Sequence, residues 1–127
     1  MSRRIIVVDD DKQVREIITF ALNCNGFEVA VACNGQQLQD LLAAQVPDLL
    51  ILDVMMPGQN GYQIFHYLRT HPQMQHIPVI IMTAHAENIY ERISADLGAA
   101  EHIKKPFHPL ELVEKVKVLL DISTENS

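Results

Sequence analysis

Five short apolar runs, separated by stretches of helical period, leave this chain few ways to fold. The runs are Ile5–Val8, Phe27–Val31, Leu49–Leu52, Val79–Met82 and a weaker Ala100–Ile103. Three are nearly continuous apolar strings, the pattern of parallel strands covered on both faces. The second alternates Phe27, Val29 and Val31, so it reads as an edge strand with one wetter side. Between the runs lie core stripes at helical spacing. They are Val14, Ile17, Ile18, Ala21, Leu22; Leu38, Leu41, Leu42; Ile64, Phe65, Leu68; Ile89, Ile93, Leu97; and Leu112, Val113, Val116, Leu119, Leu120. Asn25-Gly26 and Gly98 supply helix stops, and Pro109 opens the fifth helix at a favourable first-turn position. Strict alternation implies right-handed crossovers and an α/β fold, a doubly wound parallel sheet of five strands with five helices.

The 127 residues suit one domain, and a hydrophobic content of 48% fills a core without disulfides. Residues 1–122 form that domain, and 123–127 read as a flexible tail. A natural terminus and the start of a linker to a further segment both remain open for it. The net charge of −6, with no basic run, argues against nucleic acid and anionic membranes as direct partners. The apolar stretch near the N-terminus is too short for a secretory signal, and no segment reaches the length of a membrane span. The expected compartment is the cytoplasm. Cys24 and Cys33 match no zinc spacing and flank the second strand. At ~3.3 Å per residue they lie roughly 16 Å apart, too far for a disulfide, which tolerates about 7 Å.

In an open parallel sheet, ligands bind beyond the carboxyl ends of the strands. The first strand runs into Asp9-Asp10-Asp11, the third into Asp53, the fourth into Thr83 and the fifth into Lys105-Pro106. Singly, each has an ordinary reading: an Asp after a strand commonly caps a helix, and a lone Lys is commonly a solvated charge. Together they form a cluster that electrostatics constrains. Two carboxylates ~4 Å apart repel by roughly 4 kcal/mol at an effective dielectric near 20. Three require a raised pKa, an ammonium or a divalent cation, and carboxylates plus water suit Mg²⁺. An Asp53 held between Mg²⁺ and Lys105 is placed to attack a phosphoryl group and form an aspartyl phosphate.

In IIVVDDD, LLILDVMMPGQNGYQ, VIIMTAH and HIKKPF, the chain resembles the receiver domain of two-component response regulators, over nearly its whole length. The resemblance implies a flavodoxin-like strand order of 2-1-3-4-5. It makes Asp53 the phosphoacceptor, with Asp9, Asp10, Asp53 and the Met55 carbonyl holding Mg²⁺, or Mn²⁺ in its place. Thr83 becomes the hydroxyl that swings toward the phosphoryl group, Lys105 the ammonium that bonds it, and Lys105–Pro106 a cis peptide. His102 stands at the strand-five switch position, where the family usually carries Tyr or Phe; a His there buries less apolar area and can titrate near neutral pH, and an ordinary surface His is the alternative reading. Met55 and His85 flank the water path that sets the phosphoryl lifetime. The implied partners are a sensor histidine kinase or phosphotransfer protein and a downstream effector protein or domain. A homodimer would form through the face of the fourth helix, fifth strand and fifth helix. Such a domain catalyses its own phosphoryl transfer and slow dephosphorylation and is not a dedicated turnover enzyme.

Three other readings compete. A flavodoxin-like cofactor binder with the same strand order needs a Ser/Thr/Gly-rich anion nest after the first strand, where the triple Asp would repel phosphate unless a metal intervened. A phosphatase of the haloacid dehalogenase class wants a second acid two residues after the nucleophile, where Met55 stands. A degenerate receiver would bind partners without being phosphorylated; the five expected side chains argue against it and leave it open. A DNA-binding regulator would need an effector domain, for which this chain alone has no residues.

Overall fold

The structure, a computed structural model, describes residues 3–53, 55–56, 59–83, 101–105 and 107–120. In chain order its elements are β1 (Arg4–Val8), α1 (Lys12–Asn23), β2 (Glu28–Ala32), α2 (Gly35–Ala44) and β3 (Leu49–Asp53). A short antiparallel hairpin follows, β4 (Met55–Met56) with β5 (Gln59–Asn60), then α3 (Gly61–Thr70), β6 (Val79–Thr83), β7 (Glu101–Lys104) and α4 (Pro109–Leu119). The parallel strands lie in the order β2-β1-β3-β6-β7, which is 2-1-3-4-5 when the hairpin is set aside. The predicted helix around Ile89, Ile93 and Leu97 lies outside the described residues, as do Gly98, His85, Pro106 and the 123–127 tail.

The continuous apolar runs become strands because alternate side chains feed two separate cores. Ile6, Val8, Leu50, Leu52, Val79 and Ile81 pack under α2 and α3, against Leu38, Leu42 and Leu68. Ile5, Val7, Leu49, Ile51, Ile80 and Met82 pack on the opposite face, against Ile18 and Leu22 of α1 and Leu112, Val113 and Val116 of α4. Leucine and isoleucine side chains contribute about 1.5–3 kcal/mol each when fully buried. With β1, β3 and β6 buried on both faces, the central sheet has little freedom to slip in register. β2 is an edge strand as expected, but the alternation does not set its buried side throughout: Phe27 is buried, whereas Val31 is exposed and its neighbour Ala32 is buried.

Among the described helix stripes, Ile17 differs from expectation. Ile17 is 49% exposed, while Ile18 and Leu22 are fully buried and Val14 and Ala21 pack beside them. Successive helix positions are turned by about 100°, so with Ile18 at the centre of the buried stripe Ile17 falls on its flank. The end of α1 follows the Asn25-Gly26 signal. Gly26 adopts φ +86°, and the amides of Gly26 and Phe27 donate back to the carbonyls of Asn23 and Leu22 at 3.1 Å. That left-handed turn favours glycine. Cys24 and Cys33 are free thiols on either side of β2, the first exposed and the second half-buried. No helix among the described residues is long and apolar enough to cross a membrane.

Candidate functional site

Register delivers the first two acids. β1 and β3 pair with Val8 opposite Leu52, so the next residues, Asp9 and Asp53, emerge side by side at the carboxyl edge of the sheet. Both are buried, at 0% and 3% exposure, where water offers little screening. β6 and β7 pair with Thr83 opposite Lys104, so the same edge receives the end of β6 and, one residue later, Lys105.

Lys105 holds the two acids together. Its Nζ donates to Asp9 Oδ2 at 2.7 Å and to Asp53 Oδ2 at 3.1 Å. Burial pushes the Asp9 carboxyl above its ordinary value of 3.8, and the Asp53 charge adds to the rise. The bonds from Lys105 and from the Asp11 amide pull it back only in part. Burial alone would lower the ammonium of Lys105, but its bonds and charge contacts with the two carboxylates outweigh that and hold it above 10.5. The pair of acids is therefore a repulsive arrangement that one ammonium only partly neutralises.

The third acid completes a cation cradle. One carboxylate oxygen from each of Asp9, Asp10 and Asp53 lies within 4.8 Å of the others. Opposite ligands of a small octahedral cation are about 4.2 Å apart, so a modest turn of the exposed Asp10 side chain closes the set. Three hard oxygen donors from separate side chains fit such an ion.

The triple Asp divides its labour. Asp11 caps α1, its Oδ1 accepting from the amides of Gln13 at 2.8 Å and Val14 at 3.5 Å. Asp9 and Asp10 are left for the cradle. Met55 and Thr83 sit at the same edge by their backbone, in β4 and at the end of β6; their side chains, like His85 and Pro106, lie outside the described residues. His102 is half-buried on β7, two residues before Thr83's strand partner. Two polar contacts were not singled out from sequence. His108 caps α4 by accepting from the Leu110 amide at 3.1 Å, and Arg15 reaches back from α1 to the carbonyl of Asp9 at 2.8 Å. A polar residue immediately before Pro109 was the available signal for the cap; the Arg15 contact leaves no periodic trace.

Residues 5–117 match the sequence model of the response regulator receiver domain. The chain belongs to the response regulator receiver family. This receiver domain is 35% identical over 119 residues to the transcriptional regulatory protein GltR of Pseudomonas aeruginosa, covering 94% of this chain and 49% of that protein. It thus spans about half the length of that relative. Its fold matches the crystal structure of a response regulator from Chloroflexus aurantiacus with a TM-score of 0.89 and 33% identity, covering 95% of this chain and 99% of that one. The BeF3-activated N-terminal receiver domain of RstA from Klebsiella pneumoniae matches with a TM-score of 0.81 and 29% identity, over 91% and 96% of the two chains. The receiver domain is accordingly a signalling module of a two-component system.

Proposed function

We propose that this receiver takes a phosphoryl group on Asp53 from the phospho-histidine of a sensor kinase or phosphotransfer protein. The observation that carries the reading is Lys105 bridging Asp9 and Asp53, with Asp10 close enough to complete a cation cradle. Mg²⁺, or Mn²⁺ in its place, would be held by Asp9, Asp10, Asp53 and the Met55 carbonyl, and bound there it neutralises phosphoryl oxygens in the transition state. A carboxylate oxygen of Asp53 bonds to phosphorus as the phosphorus–nitrogen bond to the donor imidazole breaks. Lys105 then exchanges one carboxylate partner for a phosphoryl oxygen, and burial of Asp53 strengthens that contact.

Thr83 and His102 carry the change outward in this reading. Thr83 bonds the phosphoryl group, and the face of β7, α4 and the predicted helix around Ile89, Ile93 and Leu97 shifts toward an active form. That face is also the proposed homodimer surface and the contact for the effector. Met55 and His85 set how long the group persists. The shift is a population change whose size is fixed by differential binding of the phosphoryl group to the two states.

The test is intact mass after incubation with Mg²⁺ and acetyl phosphate. A phosphate-sized gain in wild type that is absent from Asp53→Asn is the expected result. No gain with any phosphodonor overturns the proposal in favour of a receiver that binds partners without being phosphorylated.

A further inference from the structure

We infer that Arg15 is a positioning residue for the cation cradle, acting through the backbone of Asp9. Every polar group of Asp9 is engaged. Its amide donates to Ala32 O at 3.1 Å, Oδ1 accepts from the Asp11 amide at 2.9 Å, Oδ2 accepts from Lys105, and its carbonyl accepts from Arg15 Nη1 at 2.8 Å. The carbonyl bond is the one that a side chain makes to the Asp9 backbone, and it fixes the peptide that links Asp9 to Asp10. The orientation of that peptide sets where the Asp10 carboxylate points.

The placement of Arg15 is costly for its own helix. It stands one turn into α1 and folds its guanidinium back past the Asp11 cap, at the end where the helix dipole disfavours cations. Helix stability therefore does not explain the arrangement, whereas the bond to the Asp9 carbonyl, in the segment that carries the clustered Asp9 and Asp10, does. The backbone amide of Arg15 donates to Asp11 O at 3.1 Å in the first turn of α1, so the side chain reaches Asp9 from a residue whose own backbone is fixed by the helix. Arg15 touches neither phosphoryl group nor cation. It presets the Asp9–Asp10 peptide, so that only the Asp10 side chain is left to order when the ion binds.

The inference rests on Mg²⁺ occupying the cradle as proposed above, and the experiment separates the two. Mg²⁺ is titrated into wild type, Arg15→Met and Arg15→Lys, with affinity read from amide shifts in two-dimensional NMR. Unfolding in EDTA is measured alongside. Met keeps the apolar stem of Arg15 without a donor, and Lys restores one donor. The expected result is an affinity about tenfold weaker in Arg15→Met, the scale seen for residues that orient metal ligands, largely recovered in Arg15→Lys. Equal Mg²⁺ affinity in wild type and Arg15→Met overturns the inference, even if the variant unfolds more readily in EDTA. A wild type that shows no saturable Mg²⁺ binding overturns the cation site itself, and the inference with it. Should Arg15→Met not fold, the same comparison is made with Arg15→Gln.

Discussion

Lys105 donates to Asp9 at 2.7 Å across 96 residues of chain, a shorter contact than the one it makes to Asp53. The ammonium thus leans toward Asp9, a residue proposed to hold metal, while its proposed task is at the phosphoacceptor. A divalent cation bound among the three carboxylates would substitute in part for that ammonium charge.

That substitution predicts a cation-dependent cost for removing it. Lys105→Met should destabilise the protein in EDTA by on the order of 3 kcal/mol, because two buried carboxylates lose their shared partner. Saturating Mg²⁺ should recover much of the loss. Urea unfolding with and without Mg²⁺ measures both, and an equal loss under the two conditions would show that Lys105 matters for packing alone.

Asp9 carries the opposite sign. Burial raises its pKa in the folded state, so its contribution is most favourable below 3.8 and is lost as pH rises through the folded value. Asp9→Asn, which keeps an oxygen for the Asp11 amide, escapes that loss. In EDTA at neutral pH the variant should be more stable than wild type, with the gap closing toward about pH 4. Melting temperatures that favour wild type at pH 7 would contradict the burial argument.

Mg²⁺ should stabilise the fold by mass action, about 2.7 kcal/mol at a hundredfold excess over its dissociation constant. Asp10→Asn should lose most of this gain while matching wild type in EDTA, because Asp10 is exposed and makes no cap. A thermal melt series against Mg²⁺ concentration reads both effects.

Asp11→Ala tests the division of the triple Asp. Loss of the α1 cap should cost about 1 kcal/mol. The phosphoryl gain from acetyl phosphate should persist at the wild-type end point. If that gain vanished while the fold survived, Asp11 would belong to the cradle as well as to the helix.

Asp9 and Asp53 were legible because a parallel strand that is apolar at every position has an unambiguous end, and register brings neighbouring ends together. The order of the strands came from family resemblance, since periodicity alone does not say which strands are neighbours. Ile17 shows the limit of a stripe: the spacing identifies a helix, but only packing decides which of two adjacent isoleucines is covered. The hairpin of Met55–Met56 with Gln59–Asn60 is too short to leave a pattern. Arg15 could not be read at all, because a side chain that reaches back six residues to a backbone oxygen obeys no helical period.

β7 is the last strand of the sheet, and Lys105, just beyond it, reaches past β6 to acids on β3 and at the end of β1. Edge strands are ordinarily the first to fray. Here an opening of β7 withdraws the ammonium from both buried carboxylates at once, so the outermost strand is locked by charges at the centre of the sheet. Hydrogen exchange at the β7 amides should then keep pace with the electrostatic state of the acidic pocket, and the rim of the molecule becomes a gauge of its middle.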